Sequence, residues 1–93
     1  MPYSVVLKQD AVRDLKNLPV DAQWRFVYAL STLARNPTRP SPQLRIKQMR
    51  GHPGFWRLAV GEWRAVYEFD GVVVRVYIFG HRANVYDKFE SRD

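Results

Sequence analysis

The stretch Phe55–Tyr86, FWRLAVGEWRAVYEFDGVVVRVYIFGHRANVY, decides how this chain folds. Its β-branched and aromatic residues alternate with polar ones between two glycine-containing turns, a pattern typical of three β-strands. The Asp70-Gly71 pair favours a two-residue hairpin loop, because glycine tolerates the positive φ of a type I′ turn. Gly61-Glu62 is the candidate for a second turn of the same length. The stretch therefore predicts three antiparallel strands.

Two-residue turns also fix the pairing, with Val60 opposite Trp63 and Phe69 opposite Val72. Side chains alternate along a strand and cross-strand partners share a face, so two different faces are predicted. One face is almost wholly apolar and carries Trp56, Leu58, Val60, Trp63, Ala65, Tyr67, Phe69, Val72, Val74, Val76 and Ile78. The other face carries Phe55, Arg57, Ala59, Arg64, Val66, Glu68, Val73, Arg75, Tyr77, Phe79 and His81.

The preceding segments predict two helices and two more strands. Tyr3–Lys8 is strand-like, about Ala11 to Asn17 and Val20 to about Arg35 have helical periodicity, and Leu44–Arg50 alternates again. The proline-rich segment Asn36–Gln43 is a stiff connector. We therefore predict one α+β domain over residues 1–93, with two N-terminal helices packed on one face of a mostly antiparallel sheet, in the order β-α-α-β-β-β-β. The pattern does not define the structure of the C-terminal tail.

Composition limits the class of protein. The chain has 93 residues, no cysteine and a formal net charge of +6. Without cysteine there are no disulfides or thiolate metal sites, as expected in a reducing compartment. The sequence shows no signal-peptide pattern and no apolar run of about 20 residues, the length of a membrane span. We expect a cytoplasmic protein that uses no membrane, no metal ion and no cofactor.

Basic residues are concentrated in the middle of the chain. Between Arg35 and Arg64 there are seven Arg and Lys side chains and one acid, Glu62. Such a field attracts polyanions, chiefly nucleic acid. The alternative is the solvated surface of an ordinary basic protein.

Two arginines are predicted to be neighbours on the open face of the sheet. The guanidinium groups of Arg57 and Arg64 repel each other unless an anion lies between them, and a phosphate accepts paired hydrogen bonds from each. The alternative is that Glu68, the only acid predicted on that face, neutralises them. The aromatic residues predicted on the same face suit stacking on unpaired bases, unless the C-terminal tail covers them.

The segments KQMRG, FWRLAVGEWRAVYEF and VYIFGHRANVYDKF resemble the RelE/ParE superfamily of toxins from bacterial toxin–antitoxin modules. The similarity covers nearly the whole chain. It implies one of two activities. RelE-like members enter the ribosomal A site and cut the bound mRNA without a metal ion, whereas ParE-like members inhibit DNA gyrase and catalyse nothing. A nucleic-acid-binding module without chemistry is a third interpretation.

The resemblance also assigns roles to residues. The catalytic cations of the family match Arg57, Arg64 and Arg82, and its C-terminal tyrosine matches Tyr86. A further cation of the family, the lysine that is its usual general base, falls on Ala59 and is missing here. Arg57 does not replace that lysine as a base, because a guanidinium keeps its proton in a protein.

We accordingly expect a RelE-like endoribonuclease that acts on mRNA in the 70S ribosome and forms a hetero-oligomer with a cognate antitoxin. Histidine titrates near neutral pH, so His81, predicted on the arginine face, is the expected proton-transfer group, and Tyr86 is expected to position the RNA. RNA contacts are assigned to Arg45, Lys47, Arg50, Phe55, Tyr77 and Phe79.

Overall fold

The computed structural model describes residues 2–42 and 44–92. Gln43, the last residue of the predicted connector, lies outside this part. The elements are β1 (Ser4–Leu7), α1 (Gln9–Lys16), α2 (Val20–Leu33), β2 (Arg45–Gln48), β3 (Phe55–Val60), β4 (Trp63–Phe69), β5 (Val73–His81) and α3 (Val85–Ser91). The predicted order is confirmed, and the tail adds a third helix. None of the helices in the described ranges is long and apolar enough to cross a membrane.

The five strands form one sheet in the order β1-β5-β4-β3-β2. β1 runs parallel to β5, and the other neighbouring pairs are antiparallel. The parallel pair follows from the chain order, since α1, α2 and three strands separate β1 from its partner and allow the chain to reverse direction. The sheet is therefore mostly antiparallel, as predicted.

The main core lies between α1, α2 and the apolar face of the sheet. From α2, Phe26 and Leu33 are completely buried, and the sheet opposite contributes Tyr67, Val74 and Val76, also completely buried. Trp56 and Trp63 were predicted to be buried with them and are only partly so, packing at the margin of this core. The packing of α2 on the sheet and the apolar face predicted for β3, β4 and the part of β5 up to Val76 are thus confirmed.

The two hairpins differ from each other. At the β3–β4 turn the predicted register is confirmed, because Val60 pairs with Trp63. Gly61 has φ +59°, the positive value that favours glycine there.

The two-residue loop predicted at Asp70-Gly71 is wrong, since Phe69 pairs with Val74 instead of Val72. The Asp70 carboxylate accepts the backbone N–H groups of Val72 and Val73 at 2.8 and 2.9 Å and so holds a longer loop. A hydrogen bond from the Arg75 guanidinium and these two N–H groups hold the pKa of Asp70 far below its usual range.

A β-bulge then changes the faces of β5. Tyr67 pairs with Val76, but the preceding residue of β4, Val66, pairs with Ile78, so Tyr77 is the extra residue. A shift of one residue moves every later side chain to the opposite face. The predicted faces of Ile78 and Phe79 are therefore wrong.

α3 covers a second, smaller core on the far side of the sheet. Its buried side chains Val85 and Phe89 pack on Val66 and Ile78. At the end of the helix, Arg92 donates two hydrogen bonds to the Asp14 carboxylate of α1, at 2.7 and 3.1 Å. These contacts fasten the C-terminal segment to the rest of the fold and confirm the alternative in which it folds over the sheet.

Candidate nucleic-acid interface

Cationic side chains meet on the face of the sheet away from α1 and α2. Arg45 of β2 lies opposite Ala59 of β3, which lies opposite Arg64 of β4. In the neighbouring row, Lys47 lies directly opposite Arg57. Cross-strand partners share a face, so these four cations surround the small side chain of Ala59. The prediction that Arg57 and Arg64 share a face is confirmed.

These residues line a groove of about 760 Å³. Its walls are formed by Pro40, Ser41, Leu44, Arg45, Ile46, Lys47, Arg57, Ala59, Arg64, Arg82, Ala83 and Tyr86. A neighbouring pocket of about 360 Å³ shares Lys47, Arg57 and Tyr86 with the groove and adds Arg50. The two form a continuous basic surface of the size that several nucleotides occupy. We call both together the basic groove.

The β3–β4 turn holds the guanidinium of Arg64. Its Nη1 donates to the backbone carbonyls of Gly61 and Trp63, at 2.8 and 2.9 Å. Within residues 2–42 and 44–92, no carboxylate oxygen lies within 4.0 Å of the Arg57 or Arg64 guanidinium. A positive group fixed by neutral carbonyls and lacking an acidic partner is suited to bind an anion.

Glu68 does not neutralise the two arginines, as the alternative would require. Its carboxylate accepts a hydrogen bond from the Tyr77 hydroxyl at 3.2 Å, and its strand partners are Phe55 and Arg75. Burial of the phenol, together with the charge and hydrogen bond of Glu68, raises the pKa of Tyr77. The acid therefore belongs to the far end of β4.

Tyr86 enters the groove from the first turn of α3. The guanidinium carbon of Arg57 lies 5.6 Å from the centre of the Tyr86 ring, within cation–π range. The ring and the guanidinium thereby orient each other on one wall of the groove. This places two of the residues matched by resemblance side by side.

Arg82 is the most exposed cation of those matched by resemblance. Its backbone N–H donates to the carbonyl of Glu62 at 2.8 Å, which anchors the chain just after β5. The guanidinium lies 4.0 Å from the Glu62 carboxylate, and 61% of the side chain is exposed. Such a weak surface pair contributes little stability, so the side chain is free to contact a ligand.

His81 lies outside the groove, and its predicted face is wrong. It pairs with Trp63, and the two rings are 5.4 Å apart. Its Nδ1 accepts the N–H of Ala83 at 3.1 Å, and its Nε2 lies 4.0 Å from Glu62. The cause is the bulge at Tyr77, which turns the last residues of β5 over. The geometric reason for assigning proton transfer to His81 is thereby lost.

The predicted aromatic stacking surface is also not available. Phe79 is 3% exposed and packs edge-on against Phe26 of α2, with ring centres 5.0 Å apart. Phe55 and Tyr77 pack against each other and against Phe89 of α3. Of the six predicted RNA contacts, the three basic ones line the groove and the three aromatic ones belong to the two cores.

The sequence did not reveal two features of the site. One is the position of Lys47 opposite Arg57, for which the alternation in Leu44–Arg50 was the only signal. The other is the pair of backbone carbonyls that hold Arg64, which depends on a side-chain conformation and has no sequence signal.

Comparison with known proteins gives the family context. A sequence model of the ParE toxin of type II toxin–antitoxin systems, parDE, matches residues 5–86. Toxin RelE3 of Methanocaldococcus jannaschii is 26% identical over 91% of this chain and 97% of its own length. The putative toxin RelE1 of the same organism is 30% identical over 72% of this chain and 73% of its own length.

Solved structures show the same fold. The RelB–RelE antitoxin–toxin complex from Methanococcus jannaschii matches with a TM-score of 0.74 and 25% identity, over 90% of this chain and 98% of that one. The toxin–antitoxin complex RelBE2 from Mycobacterium tuberculosis matches with a TM-score of 0.73 and 29% identity, over 88% of this chain and 100% of that one. A mutant of the E. coli toxin RelE in the free state matches with a TM-score of 0.79 and 21% identity, over 99% of this chain and 98% of that one.

Proposed function

This chain belongs to the RelE/ParE superfamily of toxins from type II toxin–antitoxin systems, and we propose that it is a RelE-like endoribonuclease that cleaves mRNA in the ribosomal A site. The observation that carries the proposal is the basic groove, in which Arg57, Arg64, Arg82 and Tyr86 meet. A phosphodiester backbone supplies an anion for Arg57 and Arg64, which have no acidic partner among residues 2–42 and 44–92.

The proposed reaction is attack of a ribose 2′-hydroxyl on the adjacent phosphorus, which leaves a 2′,3′-cyclic phosphate and a free 5′-hydroxyl. Catalysis requires an in-line pose and positive charge around the pentacoordinate phosphorus. Arg64 holds the scissile phosphate, because its guanidinium is already fixed by the β3–β4 turn. Arg57 adds charge beside it, and the exposed Arg82 stabilises the leaving oxygen. Tyr86 positions the nucleotide from the wall that it shares with Arg57.

The different positions of His81 and Tyr86 give a prediction. His81→Gln is expected to cleave at the wild-type rate, since its ring packs on Trp63 outside the groove. Tyr86→Ala is expected to cleave about 10²-fold more slowly, the typical effect of a misplaced reactant, because it removes the ring that packs against Arg57. Both rates are measured on the same ribosome-bound mRNA. A slow His81→Gln variant together with an unaffected Tyr86→Ala variant would reverse the assignment.

ParE-like inhibition of DNA gyrase is the second candidate. Two observations favour it: the matching family model is that of ParE, and the middle of the groove carries Ala59 instead of a cation. Primer extension on mRNA from cells that express the protein separates the candidates. Discrete, translation-dependent cuts support the ribonuclease, whereas intact mRNA with a DNA-damage response supports gyrase inhibition.

We also propose that a cognate antitoxin covers the exposed side of α2 together with the groove. Val20, Trp24, Val27 and Tyr28 recur at helical spacing and are 50–72% exposed. A stripe of this kind on a soluble domain marks a contact surface. Beside it, a pocket of about 530 Å³ reaches the groove through the shared residues Arg45 and Ala59. One antitoxin segment with an apolar and an acidic part therefore fits both surfaces.

The antitoxin proposal predicts the effect of two truncations. Trp24→Ala and Tyr28→Ala are each expected to weaken binding about 30-fold, because aromatic side chains at an interface centre contribute about 2 kcal/mol. The affinity for the antitoxin that co-purifies with the protein is measured by calorimetry. Val12→Ala on α1, another exposed apolar position, is the control. Unchanged affinity in both truncations would exclude α2 as the contact surface.

A further inference from the structure

We infer that Lys47 is the catalytic residue that accepts the proton of the attacking 2′-hydroxyl, an inference that rests on the proposed RNA cleavage. The ionisable side chains of the basic groove are Arg45, Lys47, Arg50, Arg57, Arg64, Arg82 and Tyr86. A guanidinium does not release its proton in a protein, so the five arginines are excluded as bases. That leaves the Lys47 amine and the Tyr86 phenol.

The strand register places Lys47 where a base is required. Lys47 is the direct cross-strand partner of Arg57, and both side chains line the groove and its neighbouring pocket. Arg64 lies on β4, two strand spacings from β2 and two residues along the sheet from the row of Lys47 and Arg57, roughly 12 Å from Lys47. In the inferred pose, a phosphate held between Arg64 and Arg57 has its 3′-linked ribose on the β2 side, within reach of the Lys47 amine.

Cationic and neutral side chains face the Lys47 amine. They are Arg57 from β3, Arg45 from its own strand, and Arg64 from β4, while Tyr86 approaches from α3. Arg50 and Arg82 lie farther along the same surface. In the described ranges no carboxylate oxygen lies within 4.0 Å of the amine. The described side chains thus offer the amine no acidic hydrogen-bond partner.

Tyr86 lies on the wall of the groove, where the guanidinium carbon of Arg57 is 5.6 Å from the centre of its ring. That contact fixes the ring as part of the groove wall. The phenol is therefore assigned to positioning and the amine to proton transfer.

The neutral amine of Lys47 takes the proton from the 2′-hydroxyl, and the 2′-oxygen forms a bond to phosphorus. The bond from phosphorus to the 5′-oxygen breaks, and the leaving oxygen takes a proton from water near Arg82. The hydroxide so formed removes the proton from the Lys47 ammonium. The enzyme is restored, and no water is consumed overall.

Replacing the lysine by arginine separates charge from proton transfer. Lys47→Arg keeps the positive charge but removes the releasable proton, so cleavage of an mRNA bound to 70S ribosomes is expected to fall roughly 10²–10⁴-fold with unchanged RNA affinity. Lys16→Arg on α1 is the matched control. A Lys47→Arg variant that cleaves like wild type overturns the inference but leaves the proposed function intact, whereas a wild-type protein that leaves the RNA whole overturns both.

A second variant tests whether the side chain at position 47 takes part in proton transfer. The chain has no cysteine, so Lys47→Cys can be alkylated selectively with bromoethylamine to an amine that is a weaker base than lysine. Alkylation is expected to restore cleavage, and the acid limb of the pH–rate profile is expected to shift to lower pH than in wild type. Restored cleavage with an unmoved profile would show that only charge matters at this position and would overturn the inference.

Discussion

Replacing Arg64 by alanine is expected to lower the rate of mRNA cleavage by roughly 10²–10³-fold, the effect of removing one donor that stabilises charge in a transition state. The guanidinium is held in place by two backbone carbonyls, so the protein does not have to order it during the reaction. Since no carboxylate of residues 2–42 or 44–92 pairs with it, its loss is expected to cost little stability. The rate is measured by primer extension on ribosome-bound mRNA.

Arg75→Ala is the matched control for Arg64→Ala. Arg75 also lies on a strand of the sheet, but its guanidinium pairs with Asp70 at the far end, outside the residues that line the groove. The Arg75→Ala variant is expected to cleave at the wild-type rate. Equal losses in the two variants would mean that general positive charge, and not the groove, supports cleavage.

Phe26→Ala is expected to lower the free energy of unfolding by about 3–5 kcal/mol, the usual cost of truncating a buried aromatic residue. Phe26 is completely buried at the centre of α2 and packs edge-on against Phe79. A small domain has only about 5–15 kcal/mol of stability, so this loss is a large share of the total.

Urea denaturation followed by circular dichroism measures the effect of Phe26→Ala. Tyr28→Ala serves as the control, since this residue lies on the same helix with 72% of its surface exposed. A change below about 1 kcal/mol for Phe26→Ala would contradict the assignment of this residue to the core.

The residues closest to the β3–β4 turn were the most predictable. Gly61 forces a tight turn, and once Val60 pairs with Trp63 the common face of Arg57 and Arg64 follows by alternation alone. The face of the groove was therefore accessible from sequence. The neighbouring strand β2 was also predicted. Its register against β3 was not, because the connection between the two strands is too long for a turn type to fix the pairing.

The second hairpin could not be predicted in the same way. Asp70 binds the backbone beyond the glycine, which lengthens the loop without any change in the hydrophobic pattern. Ile78 and Phe79 are both apolar, so the sequence does not show which of them faces the helices. The predicted face of His81 was wrong as well, because the bulge at Tyr77 puts every later residue of β5 on the face opposite to the one predicted. α3 is only seven residues long, and its two buried side chains give a weak helical signal.

The extra residue in β5 lets one strand serve both cores. Side chains before Tyr77 and side chains after it follow opposite parities. Deleting Tyr77 would remove the bulge and leave Val76 opposite Tyr67 and Ile78 opposite Val66, so Phe79 would keep its place against Phe26. Deleting a residue after Ile78 would instead turn the following side chains to the opposite face. A deletion of one residue is therefore expected to preserve the register of β5 at Tyr77 but not between Ile78 and His81.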